Sequence, residues 1–161
     1  MIQLTQKERT LLEDQKKHEQ ICIEKYTNYA NQAQSPQLKQ LFQSYAAQEQ
    51  NHYNTINQIL NGQVPNVNQS QQQAGSQQQS AAQAAQSATN MQGAMANQSD
   101  ASLLNDMLMT EKYVSSAYDT AIFEFTDSNV RQVLNHIQKE EQQHGEGIFN
   151  YMQSRGMYNP Q

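Results

Sequence analysis

The sequence predicts an all-α fold, a four-helix bundle made of two repeated αα-hairpins joined by one long crossover. Three observations predict it. Apolar residues recur at three-to-four spacing in both flanks of the 161-residue chain, and no period-two segment competes with them. Residues 11–60 laid on residues 103–152, an offset of 92, align without a gap and share ten identities. Between the flanks, the stretch from Gln50 to Ser99 has no Asp, Glu, Lys or Arg.

The first helix starts near Thr5, where Thr5-Gln6-Lys7-Glu8 has capping-box form. It carries Leu11, Leu12, Cys22, Ile23, Tyr26, Ala30 and Ala33 on its apolar side. Ser35-Pro36 supplies an N-cap and a proline at the first helical position of the second helix. That helix carries Leu38, Leu41, Phe42, Tyr45, Ile56, Ile59 and Leu60, and stops at Asn61-Gly62. A third helix is expected from Ser99 or Asp100, with Leu104, Met107, Leu108, Val114, Tyr118, Ile122 and Phe125. Asp127-Ser128 starts the fourth, which carries Val130, Val133, Leu134, Ile137, Ile148 and Met152 and ends at Gly156.

The expected organisation is a first hairpin over 1–60, a crossover over 61–99 and a second hairpin over 100–156, together one bundle domain. The crossover is Gln, Asn, Ser, Ala and Gly with almost no large apolar side chain. Such a segment cannot bury enough surface to offset its ordering entropy, so it reads as mostly flexible. Its Ala- and Met-rich part, 81–96, is able to form a short helix.

Composition narrows the function. Gln and Asn make up 45 of 161 residues. No apolar run approaches the roughly 20 residues of a membrane span. One cysteine, Cys22, excludes a disulfide scaffold. The start, Met1 to Glu8, has no apolar core, so no secretory signal is expected. A net charge of −5 without a basic cluster argues against nucleic acid as a partner.

Two copies of Glu-x-x-His lie in register within the repeat: Glu49 with His52, and Glu141 with His144. On a helix, i and i+3 share a face about 4.5 Å apart along the axis, so both can reach one metal. Ten glutamates and four histidines in 161 residues give about 0.25 chance copies per chain, so one copy says little. Two at matching positions say much more. Glu19 and Glu111 form a third matching pair, each 30 residues before its motif. Positions at equal height in an antiparallel hairpin have a constant index sum. Glu19 and Glu49 have their midpoint at 34, and Glu111 and Glu141 have theirs at 126, each beside a predicted turn. Four glutamates and two histidines should therefore converge about 22 Å from the turns.

No Lys or Arg lies on the stripes that carry these six residues. Four buried carboxylates without cations are costly to desolvate. Either they are protonated, or two divalent ions neutralise them. The ligand types suit iron or manganese, with zinc also open, and this ligand set is the one used by di-iron and di-manganese carboxylate bundles. The alternative is a polar seam of water and shared protons. Tyr26 and Tyr118 lie two turns beyond Glu19 and Glu111, and either hydrogen-bond a ligand carboxylate from a neighbouring helix or fill the core. His18 and His136 lie off the stripes and read as surface histidines. Cys22 reads as a small core residue. Glu24, Glu124, Glu140 and Glu146 read as solvated.

Several stretches in the second half resemble the CotF-type spore coat proteins of endospore-forming Firmicutes. They are Leu103 to Tyr113, Ser115 to Tyr118, Glu140-Glu141-Gln142-Gln143-His144 and the ending Gly156 to Gln161. The first half resembles the same family more loosely. The whole plan is similar to the ferritin-like superfamily, including rubrerythrin, bacterioferritin and manganese catalase. That resemblance implies metal ligands at Glu19, Glu49, His52, Glu111, Glu141 and His144. The long Gln-rich crossover and the lack of a rubredoxin-like cysteine cluster depart from a rubrerythrin-like redox cycle.

The resemblance implies a protein made in the mother cell cytosol and deposited in the spore coat among other coat proteins. Exposed Gln71 to Gln79 would suit glutaminyl–lysyl cross-linking there. Two functions follow. One is a coat component whose bundle is an assembly module with a dinuclear site. The alternative is a dinuclear oxidoreductase, a ferroxidase, peroxidase or manganese-catalase-like enzyme that protects the spore. A 39-residue crossover permits pairing of the hairpins within one chain or swapping into a homodimer.

Overall fold

The computed structural model describes residues 2–66 and 92–160, and the side chains from Asp100 onward in the second part. It is all-α among the described residues, with four helices. They are α1 (Gln6–Gln32), α2 (Pro36–Leu60), α3 (Gln92–Glu124) and α4 (Ser128–Ser154). None is long and apolar enough to cross a membrane.

Local chemistry fixes the helix ends. The Thr5 capping box forms in both directions: Thr5 N donates to Glu8 at 2.7 Å and Glu8 N donates to the Thr5 hydroxyl at 3.2 Å. Ser35 caps α2 with Pro36 behind it. Asp127 caps α4 by accepting from Asn129 N and Val130 N. Gly62 and Gly156 follow α2 and α4 with φ of 83° and 69°, a left-handed turn that suits glycine.

The start of α3 differs from expectation. The helix begins at Gln92, not at Ser99 or Asp100. Gln92 to Ser99 lacks an apolar stripe, but most of it is tolerant of helix, and extending an existing helix avoids the cost of nucleation. The expected short helix over 81–96 meets α3 at its last residues. The rest of it, and Gln71 to Gln79, lie outside the described residues.

Helix α1 packs along α2, α3 along α4, and α1 against α3. The core is Leu12, Cys22, Tyr26, Leu38, Phe42, Ile56, Leu104, Met107, Tyr118, Leu134, Ile137, Ile148 and neighbours. The expected stripes supply it, though Leu11, Ile23, Leu41, Tyr45, Leu108 and Ile122 are only half-buried.

Two carboxylates tie the hairpins at their ends. Glu8 Oε1 accepts from Thr126 N at 2.8 Å and Thr126 Oγ1 at 3.0 Å. Asp100 accepts from Gln34 N at 2.9 Å and Ser35 N at 3.0 Å. Each head of one hairpin thus satisfies the turn of the other. Glu8 and Asp100 are 92 positions apart, as are Gln34 and Thr126. Arg9 donates to Leu60 O at 3.3 Å, so α2 ends beside the start of α1. Asp100 of α3 lies at the opposite end. Helix α3 therefore runs antiparallel to α1 and parallel to α2.

Candidate metal centre

Midway along the bundle, each helix contributes to one buried polar cluster. Helix α1 supplies Glu19, α2 Glu49 and His52, α3 Glu111, and α4 Glu141 and His144. All six are at most 2% exposed. The i, i+3 spacing puts each Glu and His of a motif on one inward face, and the equal-height pairing brings Glu19 and Glu111 opposite them.

The carboxylate oxygens and ring nitrogens form two overlapping groups that could each hold a metal ion. Glu19, Glu49, His52 and Glu141 each offer an atom within 4.8 Å of the others, and so do Glu49, Glu111, Glu141 and His144. Glu49 and Glu141 belong to both. The two imidazoles present Nδ1 to the carboxylates. His52 Nδ1 is 3.1 Å from Glu49 and 3.2 Å from Glu141. His144 Nδ1 is 3.2 Å from Glu49, 3.4 Å from Glu141 and 3.5 Å from Glu111.

The outer nitrogens are held from the other side. His52 Nε2 is 2.8 Å from Glu140 Oε2, and His144 Nε2 is 2.5 Å from Gln48 Oε1. Tyr26 donates to Glu111 and Tyr118 donates to Glu19, each hydroxyl crossing from one hairpin to the other.

Several of these atoms lack a hydrogen-bond partner. Glu19 Oε2, Glu49 Oε1, Glu111 Oε2, Glu141 Oε2 and His144 Nδ1 are buried without a hydrogen-bond partner. Among the described residues no Lys or Arg forms an ion pair with the four glutamates. Burial, reinforced by the charge of Glu141, pushes Glu19 and Glu111 well above the usual carboxylate range. Burial pushes Glu141 and Glu49 the same way, but the two imidazoles outweigh it and hold both below that range. Burial lowers His52 and His144, yet their carboxylate neighbours raise both well above the usual histidine value. A set of four carboxylates and two imidazoles with inward, unpartnered oxygens fits two divalent cations of the iron, manganese or zinc type.

The other singled-out residues fall differently. Cys22 is fully buried, and burial with four carboxylates nearby pushes its thiol up. Cys22 and Val114 line a surface cavity of about 280 Å³ between α1 and α3, with His18, Lys25, Asp106, Thr110 and Tyr113 around it. His18 and His136 are half-buried: the His18 ring meets Tyr113 of α3 edge-on, and His136 lies 3.4 Å from Glu140 one turn along its own helix. Glu24, Glu124 and Glu146 are exposed as expected. Glu140 is not: it is half-buried against His52, which faces it from α2. Sequence reasoning missed Glu140 and Gln48 because both lie one position off the stripes. Their signal was adjacency, since each directly precedes a motif glutamate.

The fold and cluster define an α-helical bundle with a buried carboxylate–imidazole centre. Residues 99–161, which hold α4 and most of α3, match the family described as the Coat F domain, a spore coat domain. No curated protein and no solved structure matches the chain.

Proposed function

We propose that this chain is a spore coat protein built as a ferritin-like bundle of two repeated hairpins, with a dinuclear iron or manganese centre. The Coat F domain supports the coat assignment. The observation that carries the metal reading is the pair of overlapping ligand groups sharing Glu49 and Glu141. The ligands would be Glu19 and His52 at one position, Glu111 and His144 at the other, with Glu49 and Glu141 common to both. Tyr26 and Tyr118 would orient Glu111 and Glu19. Two such ions bound there would supply redox chemistry toward oxygen or peroxide and would stabilise the fold.

The oxidoreductase reading is favoured by one feature, the cavity floored by Cys22 and Val114. These lie three residues beyond Glu19 and Glu111 on α1 and α3, so the cavity sits beside the two helices that carry those glutamates. The coat reading needs no turnover. The deciding experiment is metal analysis of protein purified without chelators. Two iron or manganese ions per chain support the centre, and peroxide and oxygen turnover is then assayed. No bound metal, and no uptake on anaerobic addition of ferrous or manganous ion, leaves a coat protein with a polar core.

A further inference from the structure

Around the cluster, positions 92 apart carry the same side chain at every candidate ligand: Glu19 and Glu111, Glu49 and Glu141, His52 and His144. The residues behind the histidines break this pairing. His52 Nε2 meets a carboxylate, Glu140, at 2.8 Å. His144 Nε2 meets an amide, Gln48, at 2.5 Å. Glu140 and Gln48 are themselves 92 apart. The next neighbours differ too. The other Glu140 oxygen lies 3.4 Å from His136 Nε2, and the counterpart of His136 is Ser44. The Tyr45 ring lies 4.4 Å from His144, and the counterpart of Tyr45 is Ile137.

A carboxylate behind a ligating imidazole accepts its outer N–H, keeps Nδ1 free for a metal and makes the ring a stronger donor. An amide oxygen fixes the same tautomer without adding charge. The two metal positions thus have identical ligands and unequal backing. We infer that they fill in order, the Glu19–His52 position before the Glu111–His144 position, and that Glu140 is the positioning residue that sets the order. This rests on the dinuclear reading above.

The test is a titration of manganous ion into the metal-free full chain, followed by calorimetry and electron paramagnetic resonance. The wild type should bind two ions in steps separated by about 10-fold or more, the usual worth of such a backing group. One equivalent should give the spectrum of isolated manganese, and the second a spin-coupled pair. Glu140→Gln should weaken the first step and draw the two together. Gln48→Glu should strengthen the second step, and keeps the test decisive if Glu140→Gln fails to fold. The double exchange should reverse the order. His52→Gln should remove the tight step, while His144→Gln should retain it. Two equal steps in the wild type, or a separation that neither Glu140→Gln nor Gln48→Glu alters, overturns the inference and leaves the dinuclear reading standing. No uptake by the wild type overturns both.

Discussion

Glu8 and Glu19 lie three turns apart on α1, and both are at most 2% exposed. Their surroundings are opposite. Glu8 receives donors on both oxygens, from Thr5 N, Thr126 N and the Thr126 hydroxyl. Burial pushes its pKa up, but these donors outweigh it and hold Glu8 below the usual carboxylate range. Glu19 receives one hydroxyl, from Tyr118, and its other oxygen has no hydrogen-bond donor, with His52 Nδ1 the nearest charge partner at 3.6 Å. Burial leaves it well above that range. Asp100 likewise accepts backbone N–H groups on both oxygens, and Glu111, like Glu19, accepts one tyrosine hydroxyl. Burial alone therefore does not set the state of a carboxylate; the supply of donors does. The ends of the bundle use carboxylates as fasteners, and the middle holds them in reserve with oxygens uncommitted.

The largest expected effect falls in the middle. Glu49→Gln combined with Glu141→Gln removes both shared carboxylates, and on the dinuclear reading proposed above bound metal should fall from two ions per chain to none by elemental analysis. The stabilisation of the wild type by added metal, about 2.7 kcal/mol at 100 times Kd, should vanish. The metal-free variant should melt below the metal-free wild type, because the buried imidazoles of His52 and His144 lose the carboxylates they pair with.

At the ends the expectation differs. Glu8→Ala should cost roughly 2–4 kcal/mol in chemical denaturation, since hydrogen bonds to a charged group are worth about 1.5–3 kcal/mol each and are not additive. Metal stoichiometry should not change. A variant that loses both would show the ends and the middle to be one unit. The pH dependence follows with its sign. The folded pKa of Glu8 lies below the unfolded value, so its stabilisation is complete above the ordinary carboxylate range and is lost as pH falls through the folded value. Glu8→Gln should flatten the loss of stability between about pH 5 and 3, where carboxylates protonate, measured by denaturation at each pH.

A smaller effect is expected beside His144. A Cβ at Gly147 would sit 1.8 Å from the Tyr45 hydroxyl. Gly147→Ala gains about 1 kcal/mol of helix propensity and loses about 1–3 kcal/mol to overpacking. A net loss near 1 kcal/mol should appear in thermal melts, and adding Tyr45→Phe should relieve it. The smallest effect is at the surface. Lys7 pairs with Glu124 at 2.6 Å, with 65% and 42% of the side chains exposed. Lys7→Gln should change stability by less than about 1 kcal/mol, and less again in high salt.

Much of this contrast is written locally in the chain. Thr5, Ser35 and Asp127 mark helix starts because capping chemistry spans three residues. The six residues of the cluster can be brought together on paper because helical period and hairpin height are arithmetic. The start of α3 escaped that reading because Gln92 to Ser99 carries no apolar stripe. Glu8 could be read only as a capping-box residue, since its bond to Thr126 joins positions 118 apart. Glu140 escaped because a residue beside a stripe touches a neighbouring helix only after the packing angle is set.

The fasteners at the ends have a consequence for how the halves recognise each other. Glu8 and Asp100 each complete a turn they do not belong to, and each candidate metal position draws on both hairpins. Neither hairpin is self-sufficient in hydrogen bonds or in charge. The protein is in effect a complementing pair of fragments carried on one chain, and the connection between them acts as a tether that sets their effective concentration. Complementarity resides in the hairpins themselves, so a hairpin from a second copy would present the same missing parts.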